Sequence, residues 1–282
     1  MKTILSLLAA FLILPAAAQE AKPTESYGNG TKVFRLATGS PGELGLLRTW
    51  GEAYCKANDC RLDWFKAGTG ASMKQLKERK VDLAMVHAPE QEKIAVREGW
   101  ATQPTLIGSN EFFIVGPAAD PAGIRQAADA LDAYRKISVA RAKWISRGDN
   151  SGTHQKESDL WKAAGVAGEG DWVIVTKDFM TASLQRAEKE RAYFMTDSST
   201  WVAEAKRVPA LTILFRGDKR LVNTYHALLA PAGATAGRET AAGFVAFVAS
   251  EQGQRILREF GKAEHGASLY DDADYAARFV SH

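Results

Sequence analysis

The chain has 282 residues, 46% of them hydrophobic and 24% charged, which supplies one large or two medium cores. Its formal charge is +3, and loss of a leading segment whose only charge is Lys2 leaves 3 − 1 = +2. So small a balance, with the basic residues scattered rather than bunched, argues against a nucleic-acid partner.

The chain opens with Lys2, an apolar run from Ile4 to Leu14, and Ala16-Ala17-Ala18 before Gln19. This is the pattern of a secretory signal peptide over residues 1–18, too short for a spanning helix. A buried N-terminal helix is the blander alternative. No cysteine follows the expected cut, which argues against a lipid anchor, and no later apolar run spans a bilayer. The expectation is a soluble, exported protein.

Residues 19–31 are polar, with Pro23, Gly28 and Gly30, and read as a flexible leader. From Val33 onward short apolar runs alternate with amphipathic ones, the pattern of an α/β protein. Strands are expected at 33–37, 61–66, 81–87 and 105–116, with helices at 44–57, 73–80 and 90–98 between them. Gly116-Pro117 and Asp120-Pro121-Ala122-Gly123 punctuate a crossover. A helix is expected over 124–133, then strands at 144–147, 172–176, 192–196 and 211–215. Helices at 153–163, 179–191 and 198–207 separate these strands. Residues 223–230 read as a strand returning to the first unit, followed by helices at 235–250 and 252–260. The chain thus leaves one βα unit, builds a second and comes back. That path gives lobe 1 over 32–116 and 225–282, lobe 2 over 117–224, and a two-strand connection able to hinge around a ligand.

The two cysteines, Cys55 and Cys60, bracket the end of a helix and the start of a strand. Export permits a disulfide, and closing so short a loop contributes roughly 2 kcal/mol in the chain-entropy model. Two free thiols are the alternative. No histidine or second cysteine pair sits at metal-ligand spacing, so no protein-held metal and no cofactor is expected.

Three strand-to-helix loops are rich in glycine and hydroxyls: Thr38-Gly39-Ser40, Gly68-Thr69-Gly70-Ala71-Ser72 and Ser151-Gly152-Thr153. In open α/β sheets ligands lie beyond the carboxyl ends of the strands, where the first helical N–H groups have no partner. Each loop alone is also an ordinary helix cap. Their joint occurrence in both lobes points to an anion cradle. Arg147 is the candidate cation, its alternative being a pairing with Asp149. His154 reads as solvent-facing and His87 as a packed or hydrogen-bonded histidine. A hydrolase built on Ser151 and His154 lacks the Gly-x-Ser-x-Gly elbow, and no phosphate loop ending in Gly-Lys-Ser/Thr is present. The chain is therefore not expected to be an enzyme.

Several ordered segments carry a family resemblance. They are Gly68-Thr69-Gly70-Ala71, Val81 to Pro89, Phe113 to Ile124, Ile145 to His154, Leu160-Trp161-Lys162 and Leu269-Tyr270. The chain resembles the periplasmic tungstate-binding proteins of ABC transporters, of the type II solute-binding superfamily. The resemblance implies a two-lobed fold, each lobe a mixed sheet flanked by helices, closing on a tetrahedral oxyanion delivered to an ABC permease. Tungstate is favoured, with molybdate next, and a monomer in the periplasm is implied. Carried over by position, the ligand-contacting candidates are Thr38, Ser40, Gly70, Ala71, Arg147, Ser151, Gly152 and Thr153. The first loop departs from the family's run of three threonines and a serine. A Gly-Met-Gly segment of the family is Phe179-Met180-Thr181 here, and its Asn-Pro-Tyr-Gly return strand is Asn223-Thr224-Tyr225-His226. The alternative is the same scaffold holding another small anion or an organic acid, for uptake or as a sensory partner.

Overall fold

The computed structural model describes residues 22–280; the expected signal segment lies outside them. Eleven strands occur among these residues. In chain order they are β1 (Glu25–Tyr27), β2 (Lys32–Thr38), β3 (Cys60–Lys66), β4 (Leu83–Val86), β5 (Thr105–Pro117) and β6 (Trp144–Ser146). They continue with β7 (Val173–Val175), β8 (Tyr193–Asp197), β9 (Leu211–Phe215), β10 (Val222–Leu229) and β11 (Asp271–Asp272). Hydrogen bonding runs β1-β3-β2-β4-β10-β5-β8-β6-β7, with β9 and β11 also on β5.

The long strand β5 is the spine of both lobes. Its first half pairs antiparallel with β10, up to Asn110↔Asn223 and Glu111↔Val222. From Phe112 on it pairs with β8 and then β9. One strand leaving and one returning through the same place form the two-strand connection of a two-lobed protein.

In lobe 1, β2 runs parallel to β3 and β4, which requires crossover helices and buries both sheet faces. The strand period sorts the residues between faces. Phe34, Leu36 and Leu62 pack with Leu47, Trp50 and Phe244 on one side. Ala37, Ala84 and Val86 meet Met73, Leu76 and Ala95 on the other. In lobe 2, β6 runs parallel to β7 and β8. Its core centres on Trp161, whose ring lies 4.3 Å from Tyr134 and 5.3 Å from Trp144. The two indole N–H groups of this cluster donate to the buried Glu157 carboxyl, at 2.9 Å from Trp144 and 3.4 Å from Trp161.

The structure differs from the sequence reading in three places. Residues 25–27, expected within a leader, form β1 against β3, with Thr24 N donating to Trp64 O at 2.7 Å. The helix expected over 44–57 begins at Leu46, after Gly45 with φ of 90°, and residues 40–43, expected in a loop, form a short helix before it. The helix expected over 124–133 is a short 3-10 turn at Ile124–Gln126 and then a helix at Ala130–Ala140. Asp129 starts that helix by accepting from Asp132 N at 2.7 Å. Cys55 and Cys60 are joined by a disulfide, their Cα atoms 4.5 Å apart. No helix among the described residues is long and apolar enough to cross a membrane.

Candidate functional site

The three loops singled out in the sequence end parallel strands and meet across one cleft. The first follows β2, the second follows β3 into the helix Thr69–Lys77, and the third follows β6 into the helix Gly152–Ala164. The lobes are closed on each other, and glycines make this approach feasible. A Cβ on Gly68 would lie 3.3 Å from Ser151 Cβ, and one on Gly70 would lie 2.6 Å from Asn150 Nδ2. A Cβ on Gly152 would lie 2.6 Å from Nε2 of His87. Each pair joins one lobe to the other.

Between them lies a cavity of about 20 Å³, room for a water-sized or comparably compact species. Lobe 1 lines it with residues 38–41, Glu43, Gly68, Thr69, Met85, His87 and Tyr225. Lobe 2 contributes Arg147, Ser151 and Phe179.

Arg147 is 4% exposed, so its charge sits in the protein rather than in water. Its Nε donates to Asp178 O at 3.0 Å, and Nη2 donates to Asp149 Oδ2 at 2.6 Å. The sequence alternatives for Arg147 therefore coexist: it pairs with Asp149 and it lines the cavity. Two fixed bonds hold the guanidinium plane, and Nη1 has no acceptor among the described residues. A planar donor fixed in this way suits an oxyanion.

Ser151 caps its helix, its Oγ accepting from His154 N at 3.3 Å. That bond leaves the hydroxyl proton for a ligand. The following N–H groups of Gly152 and Thr153 have no acceptor among the described residues. In the facing helix the first internal bond is Ser72 N to Gly68 O, so the N–H groups of Thr69, Gly70 and Ala71 are likewise open. Two helix N-termini therefore flank the cavity, and both favour negative charge.

The candidates do not all play one part. Thr38, Ser40, Arg147 and Ser151 line the cavity. The Thr38 hydroxyl, however, donates to Met85 O at 2.9 Å, which commits its proton. Gly70 and Gly152 are contact points between the lobes, Thr153 is buried in the first helical turn, and Ala71 is exposed. His154 does not line the cavity; its Nδ1 accepts from Asn150 N at 3.0 Å. Its ring makes no bond to Ser151, so the nucleophile–base pair of a hydrolase is not formed.

Sequence reasoning marked Phe179 and Tyr225 only as parts of segments that depart from the family, not as site residues, and it placed His87 in the packing. His87 does stack, 5.0 Å from the Tyr225 ring, and its Nδ1 meets Asn223 Oδ1 at 2.8 Å. It also lines the cavity. Burial and the neighbouring Arg147 charge bring its pKa down to about 4. Phe179 has Lys66 Nζ of the other lobe 4.1 Å from its ring centroid and Arg147 Cζ at 5.9 Å. Lys66 is in turn held by Glu43 at 2.7 Å. No group of His, Cys, Asp and Glu able to hold a metal ion occurs among the described residues.

The PBP superfamily domain matches residues 17–252. The tungstate-binding protein TupA of Peptoclostridium acidaminophilum is 31% identical over 284 residues, covering 96% of this chain and 98% of that protein. Among solved structures, the tungstate-binding protein TupA of Desulfovibrio alaskensis G20 is 34% identical with a TM-score of 0.71. That match covers 86% of this chain and 99% of the other. The tungstate ABC transporter structure from Geobacter sulfurreducens is 32% identical with a TM-score of 0.71, over 82% of this chain and 100% of that one. The chain belongs to the PBP superfamily and, within it, to the family of the TupA tungstate-binding proteins.

Proposed function

We propose that this protein is an exported, monomeric solute-binding protein that closes on a tetrahedral oxyanion and delivers it to an ABC permease. Tungstate is the first ligand to test and molybdate the second, since the tungstate-binding relatives cover nearly the whole chain. The observation that carries the reading is the convergence of unlike donors on one small cavity. A buried guanidinium, Ser40, Ser151 and two helix N-termini flank it from both lobes.

A buried dianion is tolerated only where hydrogen bonds and charge replace its hydration. These groups supply both without adding mobile charge. The cavity's size favours a bare inorganic oxyanion over an organic acid. The expected signal peptide at 1–18 supports export.

Calorimetry tests the reading. Tungstate should give one-to-one heat, and Arg147→Glu should abolish it at a temperature where the variant is still folded; its ligand-free melting temperature should fall, because a carboxylate at this buried position would face Asp149. Absence of heat with tungstate, molybdate, sulfate and phosphate alike would refute the oxyanion assignment.

A further inference from the structure

The cleft histidine is wired to a buried carboxylate, and the direction of that wiring decides what its other nitrogen can do. Asp197, at the end of β8, accepts from Thr200 N at 2.8 Å and from the Thr200 hydroxyl at 2.9 Å. It also accepts from Ser199 Oγ, and from Asn110 Nδ2 at 3.3 Å. A carboxylate surrounded by donors is an acceptor only, so Asn110 turns its amide NH₂ toward it. The Asn110 carbonyl then receives Asn223 Nδ2 at 2.8 Å. This leaves Asn223 Oδ1 facing His87 Nδ1 at 2.8 Å, and a carbonyl oxygen requires an N–H there. With the proton on Nδ1, Nε2 of the neutral ring is a lone pair. Nε2 has no partner among the described residues, and the residue lines the cavity.

The surroundings keep the ring neutral before a ligand arrives. Burial is the largest influence, and Arg147 and Lys156 act in the same direction. The Asn223 bond and Asp149 oppose them. Glu43 faces the same cavity from the first loop, and the Tyr225 ring packs on the imidazole from β10.

A lone pair in an anion cavity repels the oxygen of a fully ionised oxyanion, which has no proton to share. Protonating Nε2 converts it from an acceptor to a donor and sets a positive charge against the dianion. We propose that the cleft takes up one proton from solvent with each fully ionised oxyanion, and that His87 Nε2 holds it as a specificity-determining donor. The balance is one proton gained by the imidazole per ligand bound, with no bond to the oxyanion broken. An oxyanion carrying its own proton would donate it to the same lone pair and need no uptake. This rests on the oxyanion reading above.

The test is calorimetry of the full chain with tungstate at about pH 6.5, in two buffers of different ionisation enthalpy. Wild-type protein should take up between about half and one proton per ligand, and His87→Gln should take up none. The wild-type Kd should weaken by up to about tenfold per pH unit on the way to about pH 8.5, while the variant's stays flat. Nitrogen-15 NMR of the histidines in wild-type protein gives a readout that needs no variant. His87 should be a neutral Nδ1–H imidazole when free and an imidazolium in the complex. Normal tungstate binding without proton uptake, or an imidazole that stays neutral in the complex, overturns the proposal alone. If wild-type protein binds no oxyanion, the oxyanion reading falls and this inference falls with it.

Discussion

Gly152→Ala separates closure of the lobes from stability of the fold. Gly152 begins a 13-residue helix without the positive φ that would bar a side chain, so alanine fits the local backbone. In the open protein its methyl group meets solvent, and helix propensity adds up to about 1 kcal/mol of stability. In the closed protein the new Cβ falls 2.5 Å from Nδ1 and 2.6 Å from Nε2 of His87. The ring has little room to retreat, because Asn223 holds it and Tyr225 and Phe112 pack against it. Overpacking of this kind costs about 1–3 kcal/mol. Only the ligand-bound state bears that cost, so Kd should weaken roughly 5- to 150-fold. Calorimetry with tungstate, paired with a thermal melt of the ligand-free protein, reads both quantities. A Kd for Gly152→Ala within twofold of the wild type would refute the closed-cleft geometry.

Three further outcomes are expected. Phe179→Ala and Lys66→Met each remove the cation–ring contact between the lobes, worth about 0.5–2 kcal/mol. Stopped-flow fluorescence should show faster tungstate release with an unchanged on-rate, and the two changes together should do less than the sum of each alone. Replacing both Cys55 and Cys60 by serine should lower unfolding stability by about 2 kcal/mol in urea, the loop entropy of so short a ring. Wild-type protein under strong reductant should match the variant. The third concerns pH. Burial raises the Glu157 carboxyl to about 7, so between the ordinary 4.5 and 7 the native state holds a proton the unfolded chain lacks. Its contribution is therefore present at low pH and lost as pH rises, up to about 3 kcal/mol. His87, lowered to about 4, works the other way: its contribution is full above 6.5 and is lost as pH falls toward 4. The two nearly cancel in the wild type between 4.5 and 6.5. In Glu157→Gln the His87 slope should stand alone, with urea stability climbing with pH over that range, and a flat profile would contradict the assignment.

Much of this was legible in the chain because it is written in local periodicity. The βα alternation from Val33 and the glycine–hydroxyl loops after β2, β3 and β6 located the cleft. Even the exposure of Ala71 is readable. Thr69, Ser72, Met73 and Leu76 are buried at helical spacing, which turns Ala71 outward. The helix at Ala130–Ala140 was signalled by Asp129 and Asp132, a cap that the apolar run from Ile124 obscured.

What sequence reasoning missed depends on approach between distant segments. Nothing around Phe179 announces Lys66, 113 residues away, and nothing around His87 announces the chain through Asn223 and Asn110 to Asp197. The isolated asparagines in the apolar runs of β5 and β10 were the available clue. A polar side chain buried in a strand needs a partner, and two at facing register positions need each other. Thr38 shows the converse. Residue type marked it as a donor, but only the fold shows its proton given to Met85 O.

The most direct test of the central claim is anomalous diffraction from crystals grown with tungstate, recorded at a tungsten absorption edge. The account predicts one strong peak per chain, between the lobes, within hydrogen-bond reach of Arg147, Ser40 and Ser151. A fully occupied peak elsewhere, or an empty cleft in protein that binds tungstate in solution, would contradict it.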